Sequence, residues 1–204
     1  MKDLVFDLLV SIPLFAFICV VMTLTSHLKN VWRNRKYIHF SSIPAVLAYM
    51  YVFKEPFVFF FFSILFTVIL LYRHKKNQLF KWFQQRKNKG EVWFTLSFAF
   101  VSLVFWFVNR TAGGLIMLFM AAGDGVTGII RSFFVKKRQK HLSGTIGMIG
   151  ICSILGYAFL GMAGVLLAIV ASICEYQRWI DDNLAIPLFT SLAYFLIAMS
   201  FSLL

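Results

Sequence analysis

Charge is scarce in this sequence of 204 residues: only 14% are Asp, Glu, Lys or Arg, and just eight are acidic. Proline and glycine are few as well, at four and twelve, so the chain is neither disordered nor collagen-like. Cysteine is sparser still. Cys19, Cys152 and Cys174 lie inside apolar runs without CxxC spacing, which argues against a disulfide scaffold or a cysteine metal site and leaves a core-filling role. Segments of about ten alternating residues, the mark of a transmembrane β-barrel, are also missing. What is present is apolar. Hydrophobic residues make up 60% and aromatics 18%, with 25 Phe and a mean hydropathy of +0.81, against about 45–50% apolar in a usual soluble domain. A globule of 23.5 kDa has no room to hide so much oil. A water-soluble enzyme is therefore excluded, and an all-α, polytopic membrane bundle forming one domain over residues 1–204 is expected.

A crossing helix needs about 20 apolar residues. Leu8–Ser26, Tyr37–Phe53, Pro56–Tyr72, Val92–Asn109, Thr111–Ile130 and Asn183–Leu204 are candidates, with Lys54-Glu55-Pro56 as a tight turn. Leu142–Cys174 is 33 residues without a formal charge; as one helix it would extend about 50 Å, too far for a single span. Split near Gly161, it brings the count to eight. No small-residue cleavage pattern follows Lys2-Asp3, so the first segment is expected to be retained.

Net charge is +12, and its placement orients the chain. Seventeen of the twenty cations fall in the odd-numbered loops around 29–36, 73–89, 131–140 and 178. The positive-inside rule then sets those loops in the cytoplasm and both termini outside. Basic residues interleaved with oily segments suit anionic lipid headgroups and a phosphorylated ligand, and they do not indicate nucleic acid. Glu91, Asp124, Glu175, Asp181 and Asp182 share the cytoplasmic side with most of the cations.

Asp124 is the strongest single signal. A carboxylate inside an apolar helix costs at least about 2.5–3.5 kcal/mol on insertion scales, which makes it a functional candidate by default. On a helix it shares a face with Thr127, Gly128 and Arg131, and pairing with Arg131 or another cation is its structural alternative. The basic run from Arg131 to Lys140 leads into Ser143-Gly144-Thr145, where Lys140 and helix-start amides could hold phosphates; it is not a Walker A loop. For Lys136, Lys137 and Arg138, topology alone is an equally good reason. Glu175, Asp181, Asp182 and Asn183 form a compact acidic segment. One such residue suffices as a helix N-cap, and the others suit a Mg²⁺ ion bridging substrate phosphates. Arg33, Lys36 and His39 recur every three residues as one polar face, which interfacial anchoring also explains. His27, His74 and His141 show no metal spacing.

Together these segments resemble the CTP-dependent lipid-alcohol kinases, the membrane family of dolichol kinase, phytol kinase and CTP-using diacylglycerol kinase. Arg35-Lys36-Tyr37-Ile38-His39 resembles that family's RKxxH, and Lys89-Gly90-Glu91 a short element before a middle helix. Gly123-Asp124 with Gly128 resembles its GD helix. Lys140-His141-Leu142-Ser143-Gly144-Thr145 resembles a KSxEGT element, with His141 in place of Ser and Ser143 in place of Glu. Glu175 with Asp181-Asp182-Asn183-Leu184-Ala185-Ile186-Pro187 resembles a closing E…DDNxxIP. The match runs from about Arg33 to Pro187.

The resemblance implies transfer of the γ-phosphoryl of CTP to a lipid alcohol of the dolichol or polyprenol type, with Mg²⁺, at a cytoplasm-facing site in the cell membrane. Asp124 is the expected catalytic residue. Lys140, Gly144, Thr145, Gly128 and Arg131 are expected on the nucleotide, and Asp181, Asp182 and Glu175 on the metal; Arg35, Lys36, His39, Glu91 and Asn183 complete the set. Phytol, geranylgeraniol or diacylglycerol are alternative acceptors, and a CTP-using cytidylyltransferase is the nearest rival. A small transporter would also use an intramembrane Asp, but the internal repeats it predicts are not found. The sequence does not set the oligomeric state.

Overall fold

A computed structural model of the chain describes residues 2–28, 30–135 and 139–201. Lys29, Lys136, Lys137 and Arg138 of the expected basic loops lie outside the described residues. Among those described there is no β-strand, and the helices run in chain order as α1 (Lys2–Thr25), α2 (Val31–Ser41), α3 (Ile43–Tyr51), α4 (Phe57–Lys75), α5 (Gly90–Val108), α6 (Arg110–Leu118), α7 (Asp124–Phe134), α8 (Leu142–Tyr176) and α9 (Asp182–Phe201). A five-residue π-helical stretch, Phe119–Gly123, joins α6 to α7.

Polarity is inverted relative to a soluble protein. Leu9, Ile12, Phe61, Phe107, Ile154, Leu188 and Met199 are exposed, while Asp7, Glu91, Asp124, Arg131 and Glu175 are buried. Exposed apolar area on this scale is tolerable only against lipid. Among the described residues six helices are long and apolar enough to cross a membrane, which makes the chain a multi-pass helical membrane protein.

The expected count of eight is corrected to six, or seven with α8 taken as two. The discrepancy lies in the predicted span Tyr37–Phe53, which forms two short helices, α2 and α3, broken at Ser42. Pro44 has no N–H for the carbonyl of Phe40, and its ring would crowd that carbonyl in a continuous helix. Ser42 closes the break by donating its hydroxyl to the His39 carbonyl at 2.6 Å.

Gly161 divides α8 as the sequence suggested. Its φ of 59° and ψ of −141° lie where only glycine is comfortable. The two arms fold back on each other, and a Cβ on either Gly156 or Gly164 would collide with the other's backbone. Lys140, before the first arm, therefore reaches Glu175 at the end of the second.

Contacts sort the loops between two ends of the bundle. At one end Asn34 donates to the carbonyls of Leu28 and Trp82, Arg33 donates to Ser132, Arg35 reaches Asn88 and Lys140 reaches Glu175. At the other end the amides of Lys54 and Glu55 donate to Asp7, and Arg110 donates to the Tyr49 carbonyl. The cation-rich loops thus share one end. The α6–α7 rod, rich in Gly and Ala, is buried along most of its length, because small residues let neighbouring helices approach closely.

Candidate functional site

At the basic end, α2, α5, α7, α9 and both arms of α8 bring their polar residues together. Asp124 begins α7, directly after the π-helical stretch; such irregular turns inside helices concentrate at functional sites. Its Oδ2 accepts from Lys36 Nζ at 2.6 Å, and His39 Nδ1 stands 3.3 Å from the same oxygen without forming a hydrogen bond. Arg131, a proposed alternative partner of Asp124, instead pairs with Glu175. Gly128 makes the Lys36 contact possible, since a Cβ there would overlap the Lys36 side chain. Gly128→Ala is therefore expected to destabilise the protein. Overpacking costs about 1–3 kcal/mol, against up to about 1 kcal/mol returned by better helix propensity. Thermal unfolding in detergent measures the balance, and an unchanged or higher midpoint would show that Lys36 yields freely.

Glu175 is the hub of the second arm. Its carboxylate takes Arg131, Lys140 Nζ at 3.1 Å and the Thr145 hydroxyl at 3.5 Å. Lys140 also donates to Asp182 Oδ1 at 2.5 Å and to the Glu175 carbonyl. Asp124, Glu175 and Asp182 offer carboxylate oxygens within 4.8 Å of one another. Three cations, Lys36, Arg131 and Lys140, face these three carboxylates, so the group is neutral as a whole.

Asp181 does not join it. Its side chain accepts from the amide and Nδ2 of Asn183, each at 3.0 Å, and its carbonyl takes the amides of Leu184 and Ala185, which is the capping role. Gly144 is close by but its amide is used, donating to the His141 carbonyl at 3.1 Å. A Cβ on Gly144 would strike Arg131 and Thr127, so it serves the site by leaving them room. His141, set aside in the sequence, caps α8 through Nδ1, which accepts from the Ser143 amide.

A second polar group adjoins the first through α2. Arg35 donates to Asn88 Oδ1 at 3.1 Å and lies 3.8 Å from Glu91. Glu91 also meets His74 Nε2 at 2.7 Å and Gln84 Nε2 at 3.1 Å. A Cβ on Gly90 would meet both Arg35 and Asn183, which ties this group to the start of α9. Sequence reasoning missed His74, Gln84 and Asn88; none has a spacing that separates it from ordinary loop residues.

Every expected site residue thus belongs to one connected polar region, Asp181 only at its edge through Asn183. Not every polar atom in the region is hydrogen-bonded. Five of the nine buried, unpartnered side-chain atoms among the described residues are here: His39 Nδ1, Glu91 Oε2, Asp124 Oδ1, Arg131 Nε and Asn183 Oδ1. Left dry, each would cost about 1–3 kcal/mol, so water or a polar ligand has places to bind here. The chain matches no known protein family, no curated protein and no solved structure.

Proposed function

We propose that the chain is a membrane phosphotransferase that moves the γ-phosphoryl group of CTP to the hydroxyl of a long-chain isoprenoid alcohol of the dolichol or polyprenol type. One observation carries the reading: three carboxylates lie within 4.8 Å of one another, among two lysines and an arginine, with unpartnered polar atoms left over. Phosphoryl transfer needs positioning and charge neutralisation more than covalent chemistry, and these residue types supply both. The donor's base and the acceptor's class rest on the sequence resemblance.

Glu175 and Asp182 would hold Mg²⁺, and the donor set fits, being all-oxygen and carboxylate-rich. When bound, the ion supplies neutralisation of the phosphate oxygens. Lys140 and Arg131 turn from the carboxylates to the donor's phosphates, and Thr145 adds a hydroxyl. The alcohol oxygen bonds to the γ-phosphorus as the bridging P–O bond breaks. CDP leaves with that bond's electrons, and the hydroxyl proton passes to Asp124 Oδ1. Lys36 orients the Asp124 carboxylate through its 2.6 Å contact, while Asp181 sets the start of α9.

Purified protein in detergent is expected to consume CTP only when both a divalent cation and a long-chain alcohol are present. Turnover that ignores the alcohol, across isoprenoid, phytol-type and diacylglycerol acceptors, would overturn the reading.

The site is assigned to the cytoplasm in the cell membrane, with the cation-rich loops as the orienting signal; the short helices α2 and α3 together carry the chain from that end to Lys54 at the other, so both termini fall on the outer side. A cysteine probe in the 176–181 loop tests this. Trp179 is 92% exposed there. In a background with Cys19, Cys152 and Cys174 replaced, Trp179→Cys is expected to react with a membrane-impermeant thiol reagent only after cells are opened. Labelling of intact cells would reverse the orientation.

A further inference from the structure

Beside the polar region lies an apolar cavity of about 110 Å³, lined by residues of α1 to α5. Phe15, Phe62, Phe66 and Phe98 form much of its wall, and Arg35, His39 and Glu91 also line it. We propose that this cavity is the acceptor site: it holds the first few carbons of a long-chain primary alcohol, whose hydroxyl hydrogen-bonds at His39 and whose tail runs out between α1 and α4 into the bilayer. The proposal rests on the phosphotransferase reading and deepens it by assigning the lipid's place.

Protein interiors seldom leave such a volume unfilled. Here the lining is mostly aromatic and aliphatic, so the occupant is hydrocarbon and water is a poor substitute. The polar end selects the headgroup. His39 Nδ1 and Glu91 Oε2 are buried and make no close hydrogen bond, standing 3.3 Å from Asp124 Oδ2 and 3.8 Å from Arg35, and both residues line the cavity. Arg35 lies 3.8 Å from Glu91, so the pair offers no surplus positive charge for an acid. A neutral hydroxyl, able to donate and to accept, fits best. His39 is also 3.3 Å from Asp124 and stacks on Phe94 at 4.1 Å between centroids, so an oxygen held there stands beside the carboxylate group.

The position of α1 provides a way in from the bilayer. The helix is exposed along most of its length and is pinned near its two ends. Asp7 accepts the Lys54 and Glu55 amides, and the Met22 carbonyl accepts from Trp82 Nε1 at 3.0 Å. Between the pins, Phe15 bridges the gap to α4, with ring centroids 5.3 and 5.0 Å from Phe62 and Phe66. Rotation of one ring opens that gap without releasing either pin, and a chain can slide in sideways.

The test uses purified full-length protein in detergent, without nucleotide, and a long-chain primary alcohol carrying a diazirine a few carbons from its hydroxyl. Photolysis is expected to attach the probe to α1 and α4 around Phe15, Phe62 and Phe66. Unlabelled alcohol should compete, and an alkane of equal length should not. Ser63→Trp, at a buried cavity-lining position on α4, is expected to cut labelling about tenfold by displacing a few methylene contacts. It should raise KM for the alcohol and leave KM for CTP unchanged.

Labelling spread over all lipid-facing helices, or equal competition by the alkane, would overturn the proposal. The alkane comparison uses wild-type protein and holds even if Ser63→Trp fails to fold. The two readings fail separately. Specific labelling without CTP turnover removes the kinase alone, while turnover with an unchanged alcohol KM in Ser63→Trp removes the cavity alone.

Discussion

Asp124→Asn is expected to abolish phosphoryl transfer and also to destabilise the protein. Replacement by Asn keeps the volume but removes the charge that Lys36 meets at 2.6 Å. Both side chains are largely buried, so the lysine is left uncompensated at a cost of about 3–5 kcal/mol. Loss of activity alone would therefore be ambiguous. The double variant Asp124→Asn with Lys36→Met removes both charges and is expected to recover most of the stability, because an uncharged pair of similar size avoids the desolvation penalty. It should recover none of the activity. Thermal unfolding together with a turnover assay resolves the two effects. If the double variant regains both, Asp124 is a packing residue.

Lys140→Ala is expected to raise KM for CTP about 10–150-fold and to leave KM for the alcohol nearly unchanged. The range corresponds to one lost charge-assisted hydrogen bond of about 1.5–3 kcal/mol. Lys140 bridges Glu175 and Asp182, so it lies where donor phosphates and metal would meet, and it does not line the apolar cavity. Its removal also leaves two carboxylates less neutralised, so tighter binding of Mg²⁺ alone should accompany weaker binding of CTP. A variant with both KM values unchanged would return Lys140 to the role of a topology signal.

Much of this could be read from residues in order. Hydropathy alone established the membrane class, and span length with one glycine located the α8 hairpin, because a charge-free run of that length cannot cross once. Three features escaped for physical reasons. Hydropathy weighs side chains and ignores the missing N–H of Pro44, so Tyr37–Phe53 read as one span. Helical spacing brings Arg131 close to Asp124 along a single helix, but says nothing of Glu175 arriving from α8 to claim it, or of Lys36 arriving from α2. Asp181 and Asp182 are chemically identical neighbours at a helix start. Which one caps and which turns inward follows from the direction of the chain there, and composition does not carry that direction. The polar region itself joins residues as far apart as Arg35 and Asn183, and motif order rather than any local pattern connected them in advance.

The fate of the two ends of the donor triphosphate decides whether this polar region is a kinase site. CTP labelled with different isotopes in its α- and γ-phosphates, incubated with the purified protein, Mg²⁺ and a polyprenol, is followed by extraction into organic solvent and analysis of both phases. The γ-label should enter the lipid phase and the α-label should remain in water as CDP. An α-label in the lipid with release of pyrophosphate would make the protein a cytidylyltransferase and contradict the assignment.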